Sequence, residues 1–204
     1  MGIKLSYSIE VIKKEEQKTS TWSGGTTTQL FIYPKNAEYK KLNFGWRLSS
    51  AKVIDEESTF SHLPNIWRYI MVLHGNLKLI HEDHHSVDLS PFEVDSFSGN
   101  WTTKSYGKVT DFNLMLSKDF TGNINAISLE KSTTFSIDKN LYHVEAFYSL
   151  AKDTYISINK KDPIKLNEND LLIITFDKNN STDNISVYNN LKDTKIIRAS
   201  INNK

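Results

Sequence analysis

Short runs of β-branched and aromatic residues follow one another along this chain, and no apolar period of about 3.6 residues is sustained anywhere. The run at 26–33 ends at Pro34, and runs at 44–53, 69–73 and 77–80 follow it. Gly75-Asn76 and Ser98-Gly99-Asn100 supply turn chemistry between runs. Residues 109–116 alternate, with Asp111, Asn113 and Met115 on one face and Phe112, Leu114 and Leu116 on the other. After an expected turn at Thr121-Gly122-Asn123 the pattern resumes at 142–150, 154–158, 171–176 and 195–201. Many short strands without helices imply an all-β fold, a sandwich or a barrel.

An internal repeat is visible. Leu73-His74-Gly75 before Leu77-Lys78-Leu79 resembles Leu150-Ala151-Lys152 before Tyr155-Ile156-Ser157-Ile158. Each is followed by a leucine-led turn into an apolar strand, at 89–97 and 166–174, an offset of about 77 residues, the size of one small barrel. The expected division is an N-terminal barrel over 1–120 and a C-terminal barrel over 121–204. Glycine, tryptophan and arginine concentrate in the first half, while the second has long polar turns such as 178–183. Function is therefore expected in the first.

Charge and residue usage narrow the partners. The 25 basic and 24 acidic residues give a net charge of +1, so nothing favours nucleic acid or an anionic membrane. There are no cysteines, which excludes disulfide scaffolds, thiolate metal sites and cysteine nucleophiles. No stretch approaches the roughly 18 apolar residues of a membrane span, and residues 1–10 hold no apolar leader core. The cytoplasm is the expected location, and no cofactor is expected.

Two arginines stand out in a chain that otherwise takes most of its positive charge from lysine. Arg47 lies between Trp46 and Leu48, and Arg68 between Trp67 and Tyr69. A guanidinium in a barrel must be paired or must meet an anion. Pairing with Asp111 is one reading; a clamp on a ligand's carboxylate or formyl oxygen is the other. Gln29, Ser49, Thr102, Asp111 and Asn113 are the polar residues expected around them, and alternation puts Arg47 with Ser49 on one strand face. Trp22, Trp46 and Trp67 are candidates for an aromatic wall or for core. In the second half, His143 and Glu145 share a strand face and are read as core or surface.

His81-Glu82-Asp83-His84-His85 matches the zinc-protease pattern H-E-x-x-H, which works only on a helix. Here it joins two strands, and is read as a solvated hairpin turn, with an adventitious surface metal site as the alternative. Gly24-Gly25 precedes a strand, so it is read as a turn or close-packing feature and not as a phosphate cradle at a helix start.

Trp22-Ser23-Gly24-Gly25-Thr26-Thr27-Thr28-Gln29, Trp46-Arg47-Leu48-Ser49-Ser50-Ala51, Phe60-Ser61, Leu63-Pro64, Arg68, Leu73-x-Gly75, Gly107 and Asp111-Phe112-Asn113-Leu114-Met115 together resemble the motifs of the HutD/Ves family. The resemblance covers about the first 120 residues; beyond Leu116 it is one of length and strand rhythm. Trp67-Arg68 departs from it, since relatives often carry an acidic or other polar residue before the arginine. The resemblance implies a bicupin, two small cupin-type barrels in one chain. Aligning the usual cupin metal motif on Gly75 puts Arg68 at the glutamate position and His62 and Pro64 at the histidine positions. Aligning the second motif on Gly99 puts Thr102 where the last histidine belongs. A guanidinium cannot ligate a divalent ion, so the usual cupin metal site is expected to be absent and the protein to be metal-free.

The function expected is capture of a small anionic metabolite by Arg47, Arg68, Gln29, Ser49, Thr102, Asp111, Asn113 and Trp22, in a regulatory or accessory role that the resemblance links to histidine utilisation or stress. The alternatives are a metal-independent isomerase or hydrolase with Asp111 as general base, and a regulatory module with Trp101 and Tyr106 at a protein interface. Arginine pairing would lower the Asp111 pKa, which counts against the enzyme. Self-association into a homo-oligomer is compatible with all three.

Overall fold

The computed structural model describes residues 7–137, 142–177 and 184–204. Among these there is no α-helix, only strands and two 3-10 turns. The polar segment at 178–183 lies outside the described residues. Among the described residues no helix is long and apolar enough to cross a membrane.

The chain forms two compact units. One takes Gln17–Ile124 together with Lys204; the other joins the segment ending at Glu16 to Asn125–Asn203. β1 (Tyr7–Ile12) pairs antiparallel with β17 (Leu171–Phe176) and belongs to the second unit.

The first unit contains β2 (Lys18–Trp22), β3 (Gly25–Tyr33), β4 (Trp46–Val53), β5 (Glu57–Thr59), β6 (Ile66–His74), β7 (Leu77–His81), β8 (His85–Leu89), β9 (Val94–Ser98), β10 (Thr103–Tyr106) and β11 (Thr110–Ser117). They make one sheet of order β2-β3-β4-β11-β6-β9 and another of order β5-β10-β7-β8. The second unit has β13 (Thr134–Ile137), β14 (Val144–Ser149), β15 (Thr154–Ile158), β16 (Ile164–Leu166), β18 (Ile185–Asn189) and β19 (Thr194–Asn203), with β12 (Phe120–Leu129) running into it. Its sheets are β1-β17-β14-β19-β12 and β13-β18-β15-β16. Adding eight to each strand number turns β4-β11-β6-β9 into β12-β19-β14-β17, and β5-β10-β7-β8 into β13-β18-β15-β16. The repeat seen faintly between Leu73 and Leu150 is therefore a repeat of topology.

Thr121-Gly122-Asn123 is not a turn; it lies inside β12, whose neighbour β19 stabilises an extended backbone that local composition disfavours. The reading of Gly24-Gly25 as close packing agrees with the geometry. A Cβ on Gly25 would lie 2.0 Å from the Lys52 carbonyl oxygen, across the β3–β4 pair, and φ is +153°. Backbone cannot yield as a flexible side chain can, so Gly25→Ala is expected to destabilise the protein by about 3 kcal/mol, read as a lowered urea midpoint at unchanged m.

The two interiors differ. In the second unit Phe147, Ile156, Leu166, Leu172, Ile174, Val187 and Ile196 fill one apolar cluster. In the first, Ile70, Val72, Leu77, Leu79, Leu89 and Phe97 form one cluster, and Ile32, Phe44, Leu63, Ile66 and Met115 another. Buried polar groups interrupt them.

Candidate functional site

Strand register builds the site. Side chains of directly opposed residues share a face, and three cross-strand rows follow from the pairing of β3, β4, β11, β6 and β9. Arg47 opposes Met115, Met115 opposes Arg68, and Arg68 opposes Phe97. The next row reads Gln29, Ser49, Asn113, Ile70 and Asp95. The third holds Thr27, Ala51, Asp111 and Val72. One-residue alternation in five strands therefore delivers both arginines, Gln29, Ser49, Asn113 and Asp111 to a single face.

Arg47 is buried and donates from Nε to Gln29 Oε1 at 3.0 Å and from Nη1 to Ser49 Oγ at 3.0 Å. Its guanidinium carbon lies 4.5 Å from the Tyr39 ring centre. Arg68 is buried between two aromatic rings, 4.7 Å from Phe60 and 5.1 Å from Phe97, contacts that favour a cation. Its Nε has no hydrogen-bond partner among the described residues, and neither has the Asn113 Oδ1 in the adjoining row. Neither arginine forms an ion pair with Asp111 among the described residues. Of the two readings of these arginines, the pairing with Asp111 is not the arrangement observed.

Burial governs the electrostatics. Desolvation pulls the Arg68 pKa down to about 10, against raising influences from Tyr39 and Asp111, and lowers that of Arg47 as well. Both remain cations at neutral pH. Desolvation also drives the Asp111 carboxyl up to about 7, outweighing the opposing pull of Arg68 and of the Ala51 backbone hydrogen bond. Arg68 does not hold Asp111 below the usual carboxylate range: without a close ion pair, burial wins.

Of the two remaining expected site residues, Thr102 is on the solvent side and Trp22 is at the edge of this face. Thr102 is exposed, while its neighbour Thr103, wholly buried on β10, faces inward. Trp22 is 39% exposed on β2, covers Gly24 and donates to Thr27 Oγ1. Trp46 packs on Phe31 and Tyr33 on the face opposite Arg47, and Trp67 is exposed. No aromatic wall is made by these three tryptophans; the aromatic partners are Tyr39, Phe60 and Phe97, which the sequence reading did not select. The Arg68–Phe97 register was available only once β6 and β9 were paired. An open groove of about 380 Å³, lined by Trp67, Tyr69, Leu116 and Phe120 among others, lies on the other face of β6 and β11, away from the arginines.

The cupin metal position does not fit a metal. Arg68 fills the carboxylate place, and His62, Pro64 and Thr102 are all exposed. The hairpin reading of 81–85 agrees with the structure, since β7 and β8 pair with His81 opposite His85. Its solvated character is corrected for one member: His81 is 2% exposed, bonded to Thr103 Oγ1 and Asp95 Oδ2, both at 2.8 Å. Burial lowers its pKa, against the raising influence of Asp95.

In the second unit Glu145 is fully buried and receives two bonds from Arg198, at 2.8 and 2.5 Å, and one from Ser200 at 2.7 Å. That inward arginine is neutralised within the protein.

The HutD family profile matches residues 14–188. No curated protein matches the chain. Among solved structures, the conserved protein PA5104 from Pseudomonas aeruginosa PAO1 superposes with a TM-score of 0.81 at 19% identity, covering 96% of this chain and 99% of its own. HutD from Pseudomonas fluorescens SBW25, determined in a formate condition, gives 0.70 at 21% identity, covering 97% and 100%. Bacterial pirin YhhW from Escherichia coli, in complex with nickel(II), gives 0.66 at 10% identity, covering 95% and 98%. The chain has an all-β, cupin-like fold.

Proposed function

This chain belongs to the HutD family, and we propose that its first barrel binds a small carboxylate-bearing metabolite between Arg47 and Arg68, in an accessory role in histidine utilisation or stress. The observation that carries this reading is the contrast between barrels of one topology. Arg198 in the second is matched by Glu145 and Ser200, whereas Arg47 and Arg68 share a row without an ion-paired carboxylate among the described residues. Two buried guanidiniums outweigh an Asp111 carboxyl that is about half protonated near pH 7, leaving a net positive charge among these three groups that an anion would complete. The Arg68 Nε is a donor in want of an acceptor. Arg47 is already oriented by Gln29 and Ser49, so its fork is pre-organised and little freedom is lost on binding.

The test is a thermal-shift screen of chelator-treated protein against formate, glutamate, formylglutamate and urocanate. Formate belongs there as the smallest carboxylate and as the condition of the P. fluorescens structure. A ligand at a hundredfold excess over its Kd stabilises the native state by about 2.7 kcal/mol. Arg47→Lys keeps the charge and loses the fork, and should weaken the best ligand by about tenfold or more. A screen in which no carboxylate raises the Tm removes the proposal.

A second reading is favoured by one observation. A carboxyl with a pKa of about 7 beside a cationic anion site is suited to general acid–base work. Turnover of the bound carboxylate that disappears in Asp111→Asn, with binding retained, would assign that role.

A further inference from the structure

The same barrel holds a second cluster of ligating side chains, and we propose that His81, His85 and Asp95 bind one divalent transition-metal ion of the zinc, nickel or copper class. His81 and His85 oppose each other where the β7–β8 hairpin opens into its turn. Asp95 arrives from β9, a strand of the other sheet. An ion held here would cross-link the two sheets of the barrel.

The geometry is close to that of a filled site. The ligating atoms lie within 4.8 Å of one another. His81 Nε2 is 2.8 Å from Asp95 Oδ2, and His85 Nε2 is 3.1 Å from Asp95 Oδ1. In a tetrahedral site with bonds of about 2.1 Å, donor atoms stand about 3.4 Å apart, so the two contacts to Asp95 need to open slightly, and the two imidazoles, no more than 4.8 Å apart, need only adjust toward that spacing. Two imidazoles and one carboxylate suit zinc, nickel or copper far better than calcium or magnesium.

The surroundings match what such a site requires. The second ring nitrogen of His81, Nδ1, lies 2.8 Å from the buried Thr103 hydroxyl. That bond fixes the ring and directs Nε2 at the ion, the outer-sphere role that orients metal-bound histidines. His81 is sealed, while the His85 side chain is 40% exposed. Access and a fourth coordination position therefore lie on the solvent side, the open arrangement of three-ligand zinc sites. His84 stacks on Trp101 at 3.8 Å and is not one of the three residues whose ligating atoms come together. Phe97 separates this cluster from the arginines, 4.5 Å from His81 and 5.1 Å from Arg68. The site differs from the cupin metal position, where Arg68 stands. Without a metal the three side chains would form only a hydrogen-bonded triad, and the experiment separates the two.

Chelator-treated full-length protein is titrated with zinc chloride by calorimetry at pH 7.5, with bound metal counted after dialysis. One ion per chain with a Kd of about 10 μM or tighter is expected, together with a raised Tm. His85→Ala and Asp95→Asn, each verified as folded by its melting transition, should weaken binding about a hundredfold, and His84→Ala should leave it within about threefold. Cobalt(II) bound to the parent should show tetrahedral d–d absorption that Asp95→Asn loses. A zinc Kd above about 100 μM overturns the proposal, leaving a hydrogen-bonded triad. So does an equal loss in His84→Ala, which would mark adventitious chelation by the hairpin tip.

Discussion

Replacing Arg68 by methionine is expected to abolish the response to carboxylates while leaving the protein as stable as before or more so, by about 1–3 kcal/mol. The two effects have one cause. Arg68 sits between Phe60 and Phe97 with its Nε unpartnered, so burying its charge costs desolvation that no ion pair among the described residues offsets. A methionine fills nearly the same space, keeps contact with both rings and removes that cost. What it cannot do is offer donors to an anion. Loss of a charge-assisted, fork-type contact should weaken the ligand by about a hundredfold, or 2.7 kcal/mol. Urea unfolding and ligand titration of the same preparation check both halves. A variant that is destabilised yet still binds would show Arg68 to be part of the scaffold and the anion to sit elsewhere.

The second large effect concerns Asp111 and pH. Its carboxyl titrates at about 7 in the folded protein against an ordinary value of 3.8, so the native state holds a proton that the unfolded chain has released between these values. Where the native state binds more protons, stability falls as pH rises. Its contribution therefore declines from near pH 4 to near pH 7 and is flat above. At about 1.4 kcal/mol per unit, the cost at pH 8 is on the order of 4 kcal/mol. Asp111→Asn carries no such charge: it should match the parent at pH 4 and exceed its stability by a few kcal/mol at pH 8, in urea midpoints across that range. Taking the difference between variant and parent cancels groups that act with the other sign, among them Asp170, whose pKa is lowered. Ligand affinity should follow the same titration. Ionised Asp111 competes for Arg68, so carboxylates should bind more weakly as pH rises through about 7, and Asp111→Asn should flatten that profile. A parent stability curve parallel to the variant's would mean that Asp111 titrates normally and is not desolvated.

Strands that bury both faces or alternate cleanly were legible in the sequence: 154–158 and 171–176 coincide with β15 and β17, and 109–116 differs from β11 by one residue at each end. Short or polar strands such as β2, β5 and β10 were not. They gain their conformation from partners across the sheet, and their own composition reads as loop. β12 is the plainest instance, because Thr121-Gly122-Asn123 has turn chemistry and yet lies within a ten-residue strand. Arg47, Arg68, Ser49, Asp111 and Asn113 could be chosen from alternation and from the oddity of arginine in apolar strands. Thr102 could not be placed, since a shift of one residue exchanges it for Thr103 and moves the side chain from solvent to interior.

By itself, then, the sequence determined the fold class, the repeat, and which strand face would carry the buried cations, because these depend on a period of two and on composition. Tertiary structure alone decided what those groups meet. Pairing of β4, β11, β6 and β9 set the two arginines in one row without an ion-paired carboxylate, and burial rather than any neighbour raised the pKa of Asp111. The meeting of His81 and His85 with Asp95 depends on two different sheets approaching each other. Desolvation and cross-sheet contact are properties of packing, and no local pattern of residues encodes them.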